Sequence, residues 1–171
     1  GEKYRSLSDL AFIAAGNVDE DAYAEIFVLS EKEGVVGRCD VSEDGIPFPA
    51  PLHIPDGETP VAMNLVQLEK GPHVAVVAKS GRDYVLYLID MQGGLEAIQL
   101  GQQSRQPDAI LALDADQDGL SDLLLLTRVK PMTMIRAEAD NKFRLLESKD
   151  MGQFGLVQAA NAVNTAAMDA D

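Results

Sequence analysis

Asp114, Asp116, Asp118 and Asp122 are the residues of this sequence best spaced for chemistry. They fill places 1, 3, 5 and 9 of the stretch "DADQDGLSD", with Gly119 at place 6. Alternate spacing lets a tightly curved loop aim every second side chain inward, and Gly119 permits the positive φ of a sharp turn. The donor set is all oxygen, which suits a hard cation such as Ca²⁺ that takes 6–8 oxygen ligands. The backbone carbonyl of Leu120, at place 7, is a further candidate ligand. Without a cation, each close pair of these carboxylates repels by roughly 1 kcal/mol even in water. An EF-hand would share the first half of this pattern, but it needs a bidentate acid at place 12, where Leu125 stands. It also needs flanking helices, whereas "DLLLLT" reads as a buried strand.

The elements that must hold such a loop recur. Taking Asn17, Asn64, Asp114 and Asp169 as equivalent gives spacings of 47, 50 and 55 residues, with Ala15, Ala62, Ala112 and Ala167 two places before each. A period near 50 belongs to propeller-like arrays rather than to short helical solenoids. Each unit reads as four short strands divided by turn signals. The first gives 10–16, 25–30, 34–41 and 48–54, and the second 61–68, 73–80, 83–91 and 95–100. The third gives 109–114, 122–129, 132–139 and 142–148. β-branched and aromatic residues fill these runs, as in "YVLYLI". The expected fold is all-β, a β-propeller segment of about three four-stranded blades plus the first strand of a fourth. The blades span about 10–54, 60–100 and 109–148, and the fourth starts at about 163–171. Small Ala and Gly residues suit crowded inner strands. Propellers usually close with four to eight blades, so the chain reads as a piece of a larger one.

The phrase Asp-x-Asp-x-Asp-Gly-x-x-Asp-Leu from Asp114, inside a repeat of about 50 residues, resembles the FG-GAP/VCBS repeats of integrin-α-like β-propellers. "GNVDEDAYAEIFV" from Gly16 is similar to the same family phrase, and "QFG" at Gln153–Gly155 resembles the Phe-Gly part that precedes a metal loop. The resemblance implies Ca²⁺ held in a hairpin loop between the first two strands of a blade. In the third blade the ligands would be Asp114, Asp116, Asp118, Asp122 and the Leu120 carbonyl. In the first they would be Asn17, Asp19, Asp21, Glu25 and the Tyr23 carbonyl, with Ala22 in place of the turn glycine. In the second blade, Val66 and Leu68 follow Asn64, so no metal is expected there. Asp169 and Asp171 begin a fourth loop.

Charge narrows the alternatives. With 14 basic and 28 acidic residues the net charge is −14, which disfavours an electrostatic grip on nucleic acid or an anionic membrane. No apolar run approaches the ~18 residues of a membrane span, so no membrane insertion is expected. Cys39 is the single cysteine, which forbids an internal disulfide. His53 and His73 are too few and too far apart to suggest a zinc cluster. Arg128, Arg136 and Arg144, eight residues apart, fit outward strand positions or an anion-recognition stripe. No nucleophile elbow and no phosphate loop occurs. The acidic loops and the resemblance together imply a non-enzymatic, calcium-stabilised scaffold for protein–protein or cell-surface contact, in an extracellular, surface or periplasmic setting. Its partner would be another protein or the remaining blades of its own propeller. The alternative is an accessory propeller domain or subunit of a larger extracytoplasmic enzyme or redox complex.

Overall fold

The computed structural model describes residues 3–19, 21–103, 105–127, 133–139 and 142–146. The expected opening of a fourth unit, with Ala167, Asp169 and Asp171, lies outside the described residues, as do Gln153–Gly155 and Arg128. The described chain is all-β and forms three four-stranded antiparallel sheets. The first holds β1 (Phe12–Gly16), β2 (Glu25–Ser30), β3 (Val35–Cys39) and β4 (Ala50–Pro51). The second holds β5 (Thr59–Leu68), β6 (Gly71–Ser80), β7 (Asp83–Asp90) and β8 (Leu95–Gly101), and the third β9 (Ala109–Leu113), β10 (Asp122–Leu126), β11 (Thr133–Glu138) and β12 (Lys142–Leu145). Within each sheet every strand pairs with its neighbours in sequence. Among the described residues no helix is long and apolar enough to cross a membrane.

The middle sheet explains why "VAVVA" and "YVLYLI" are apolar without interruption. Both of its faces are covered, so both parities of the strand must be apolar. Val74, Val76 and Ala78 of β6 with Val85, Tyr87 and Ile89 of β7 meet Phe27, Leu29 and Val36 of the first sheet. The intervening Ala75, Val77, Tyr84, Leu86 and Leu88 meet Ile110, Leu123, Leu125 and Ile135 of the third. A register shift between Pro60 and Ala62 puts Val61 and Ala62 into the same cluster, as expected where one extra residue enters a strand.

The first strands of the three sheets lie side by side, β1 against β5 and β5 against β9. Small residues make this approach possible. A Cβ added to Gly16 of β1 would lie 2.5 Å from Cδ2 of Leu65 in β5. Asn64 of β5 donates from Nδ2 to the Ile110 carbonyl of β9 at 2.9 Å, tying the second sheet to the third.

Strand pairing at Asn64 departs from the expected repeat alignment. Asn64 sits inside β5 paired with Ala75, and the strand continues to Leu68 before a two-residue connection returns at Gly71. The first and third sheets instead end their first strands at Gly16 and Leu113, followed by eight-residue loops. Residue type at two positions, Asn64 and Ala62, suggested an equivalence that strand pairing does not support.

Candidate metal-binding loops

The connections β1–β2 and β9–β10 carry the acidic phrases. In both, the same three backbone amides are captured by acids at the same three places. The acid at place 3 accepts from the amide at place 5: Asp19 from Asp21 and Asp116 from Asp118, both at 3.3 Å. The acid at place 5 accepts from place 7: Asp21 from Tyr23 at 2.6 Å and Asp118 from Leu120 at 2.9 Å. The acid at place 9 reaches back to place 2: Glu25 to the Val18 amide and Asp122 to the Ala115 amide, each at 3.1 Å. Short acidic side chains that bond the backbone two residues on curl the chain into successive turns. The alternate spacing of acids therefore produces the curled loop itself.

Place 1 differs. Asp114 accepts from the amides of Asp118 at 3.1 Å and Gly119 at 2.9 Å, closing the loop over one carboxylate. Asn17 instead donates from Nδ2 to the Asp21 carbonyl at 2.5 Å. Place 6 differs too. Gly119 adopts φ 88°, and Gln117 also turns left-handed at 61°, whereas Ala22 stays out of that region. The first loop thus folds without the conformation that glycine was expected to supply.

Carboxylate oxygens of Asp114, Asp116 and Asp118 lie within 4.8 Å of one another, as do those of Asp19, Asp21 and Glu25, and each group could hold a metal ion. Asp122 is not one of the third-sheet trio. It is 1% exposed, and its second oxygen accepts from the Ala137 amide of β11 at 2.8 Å. Burial pushes its carboxyl above the usual carboxylate range against the pull of these two amides, and the charges of Asp116 and Asp118 push the same way. The residue clamps the loop to β10 and β11. Glu25, equally buried, holds the corresponding position. Its side chain is one methylene longer and presents an oxygen to Asp19 and Asp21 while still bonding Val18.

The spacing did not reveal the cations at these loops. Arg136 of β11 sets Nη2 against Oδ2 of Asp116 and 3.6 Å from Oδ2 of Asp118. Arg38 of β3 sets Nη2 3.5 Å from Oδ2 of Asp19 and also pairs with Asp40. Arg144 pairs with Glu138 at 2.9 Å. The described arginines of the expected stripe are thus committed to neighbouring acids. His73 is buried at the start of β6, with Nδ1 2.8 Å from the Gly71 carbonyl. Cys39 is buried, and burial, then the nearby Asp40 charge, raises its thiol pKa, which leaves it a poor nucleophile.

The donor chemistry of both trios fits a hard divalent cation: all-oxygen and clustered in turns. No protein-family model, no curated protein and no solved structure matches this chain.

Proposed function

We propose that the chain is a segment of a calcium-stabilised β-propeller and that it serves as a non-enzymatic scaffold for protein–protein or cell-surface contact. The observation that carries this reading is the loop conformation repeated at the same hairpin of the first and third sheets, three hydrogen bonds being shared place for place. The adjacency of the first strands supports treating the sheets as blades, with β1, β5 and β9 innermost. In this reading Ca²⁺ sits among Asp114, Asp116 and Asp118, with the Leu120 carbonyl adding an oxygen. A second ion sits among Asn17, Asp19, Asp21, Glu25 and the Tyr23 carbonyl. Asp122 braces the third-sheet loop through the amides of Ala115 and Ala137, and each of its oxygens keeps a lone pair that can face the ion. Each ion removes the repulsion among its acids and pins the end of one strand to the start of the next.

Sites built from exposed acidic turns suit weak affinities, on the order of 10⁻⁴–10⁻³ M, and therefore an extracytoplasmic compartment rich in the ion. A rigid sheet array with variable loops suits contact with a protein partner. Thermal melting in chelator and in millimolar Ca²⁺ tests the metal. The midpoint is expected to rise by several degrees with Ca²⁺, by mass action on the folded state. The rise is expected to vanish when Asp116→Ala and Asp118→Ala are combined. Superimposable curves for the unsubstituted chain would remove the metal from this account.

A further inference from the structure

We infer that Arg136 is the built-in counter-cation of the third-sheet loop, so that a divalent ion enters by displacing its guanidinium from Asp116 and Asp118. This rests on the metal reading given above and adds how the same site is regulated.

Three observations lead to it. First, the guanidinium already lies against the oxygens that an ion would need. Its Nη2 meets Oδ2 of both Asp116 and Asp118, two members of the trio. Second, the seating is incomplete. Arg136 Nη2 meets Asp116 Oδ2, but Arg136 Nε is buried without a hydrogen-bond partner, so the pair is not the two-pronged fork of a well-bedded arginine–carboxylate pair. Third, the arrangement recurs in the other loop. Arg38, also on the third strand of its sheet, reaches the acid at the same place 3 through Nη2, while its Nε pairs with Asp40. The two arginines are not at matching strand positions. Arg38 lies opposite Phe27, whereas Arg136 lies one residue beyond Ile135, which pairs with Leu123. Different backbone origins thus deliver a guanidinium to one common carboxylate, as local charge balance would require of a loop that must persist without metal.

One positive charge against three carboxylates leaves a net negative cluster that still attracts a dication. Ion and guanidinium cannot both hold the same Asp116 oxygen at contact distance, so entry is an exchange. Such a loop stays folded when the ion is scarce, and its affinity is set by how firmly the arginine is held.

The test is calorimetric titration of the full chain with CaCl₂, comparing Arg136→Gln and Arg136→Lys with the unsubstituted protein. Melting in chelator is followed in parallel. Exchange requires Arg136→Gln to bind Ca²⁺ roughly tenfold more tightly, the size of one charge-assisted hydrogen bond no longer lost. The same variant should melt earlier in chelator, and Arg136→Lys should keep both properties near their original values. Side-chain NMR of the unsubstituted protein should show the Arg136 guanidinium signal moving as Ca²⁺ saturates the loop, which needs no variant. Equal or weaker binding by Arg136→Gln, or a stationary guanidinium signal while Ca²⁺ binds, would overturn the exchange and leave the metal site standing. Absence of Ca²⁺ uptake by all three proteins would overturn the metal reading beneath it.

Discussion

Tyr87 shows how a single buried polar group sets a pH limit on this fold. It lies between the first and second sheets, with its hydroxyl facing Glu58. Burial, then the hydrogen bond to Glu58 and its charge, push its pKa up to about 12. A tyrosine in the unfolded chain ionises near 10. The folded state therefore holds the proton more tightly. The stabilisation is fully present below about pH 10 and is lost as the pH rises from there towards 12, by on the order of 2 kcal/mol. Denaturant melts between pH 9 and 12 should show this fall, and Tyr87→Phe should flatten it. At this scale the sequence was informative about the acids and silent about their partners. The spacing of Asp114, Asp116 and Asp118 is sufficient to bring them together, because each acid bends the chain that follows it. Nothing in the spacing announces Arg136 or Arg38, which reach the loops from another strand through pairing. Nor does it announce the amides of Ala115 and Ala137, which Asp122, read as a ligand by position, also bonds.

At the scale of elements, strands were most legible where turns are chemically marked. The β6–β7 hairpin closes through Gly81 and Arg82 with Ser80 opposite Asp83, and Gly81 at φ 62° supplies the left-handed residue that such a short connection needs. Its strands fall within two residues of the expected ends. The fourth strand of the first sheet was overestimated as 48–54. Pro47, Pro49 and Pro51 remove ladder donors, and β4 shrinks to Ala50–Pro51, paired with Arg38 and Gly37. That short edge depends on a close approach. A Cβ on Gly37 would meet the Pro49 Cβ at 2.6 Å, and a proline ring cannot swing aside. Gly37→Ala should cost about 1–3 kcal/mol as overpacking does elsewhere, measured by urea unfolding. A cost below a few tenths would mean that β4 shifts freely and is not fixed to β3. Asn64 lies inside the strand expected at 61–68, and its pairing with Ala75 departs only from the expected equivalence with Asn17 and Asp114, which stand in loops.

Across the whole molecule, apolar residues of the three first strands meet different fates. Met63 is 4% exposed beneath the first sheet and Ile110 is 2% exposed beneath the second, while Ile13 is 66% exposed. Ile13 stands on the face of the first sheet turned away from the second. Ile110→Ala should therefore cost about 2–5 kcal/mol, as deleting buried methyl groups does, while Ile13→Ala should stay within about 0.5 kcal/mol. Denaturant titration of the two variants checks this, and equal costs would show that Ile13 is already covered in solution. The three-sheet organisation was legible because each unit punctuates its own strands. The facing of one sheet on another was not, because it depends on which parity of β6 and β7 turns each way. Both parities are apolar in the sequence.

The metal remains the claim on which stability, compartment and scaffold role all depend. Anomalous diffraction from crystals grown in Ca²⁺ addresses it most directly. The account predicts a peak bounded by Asp114, Asp116 and Asp118 with the Arg136 guanidinium moved off Asp116, and a second peak among Asp19, Asp21 and Glu25. Featureless solvent at both loops, with Arg136 still against Asp116, would contradict it.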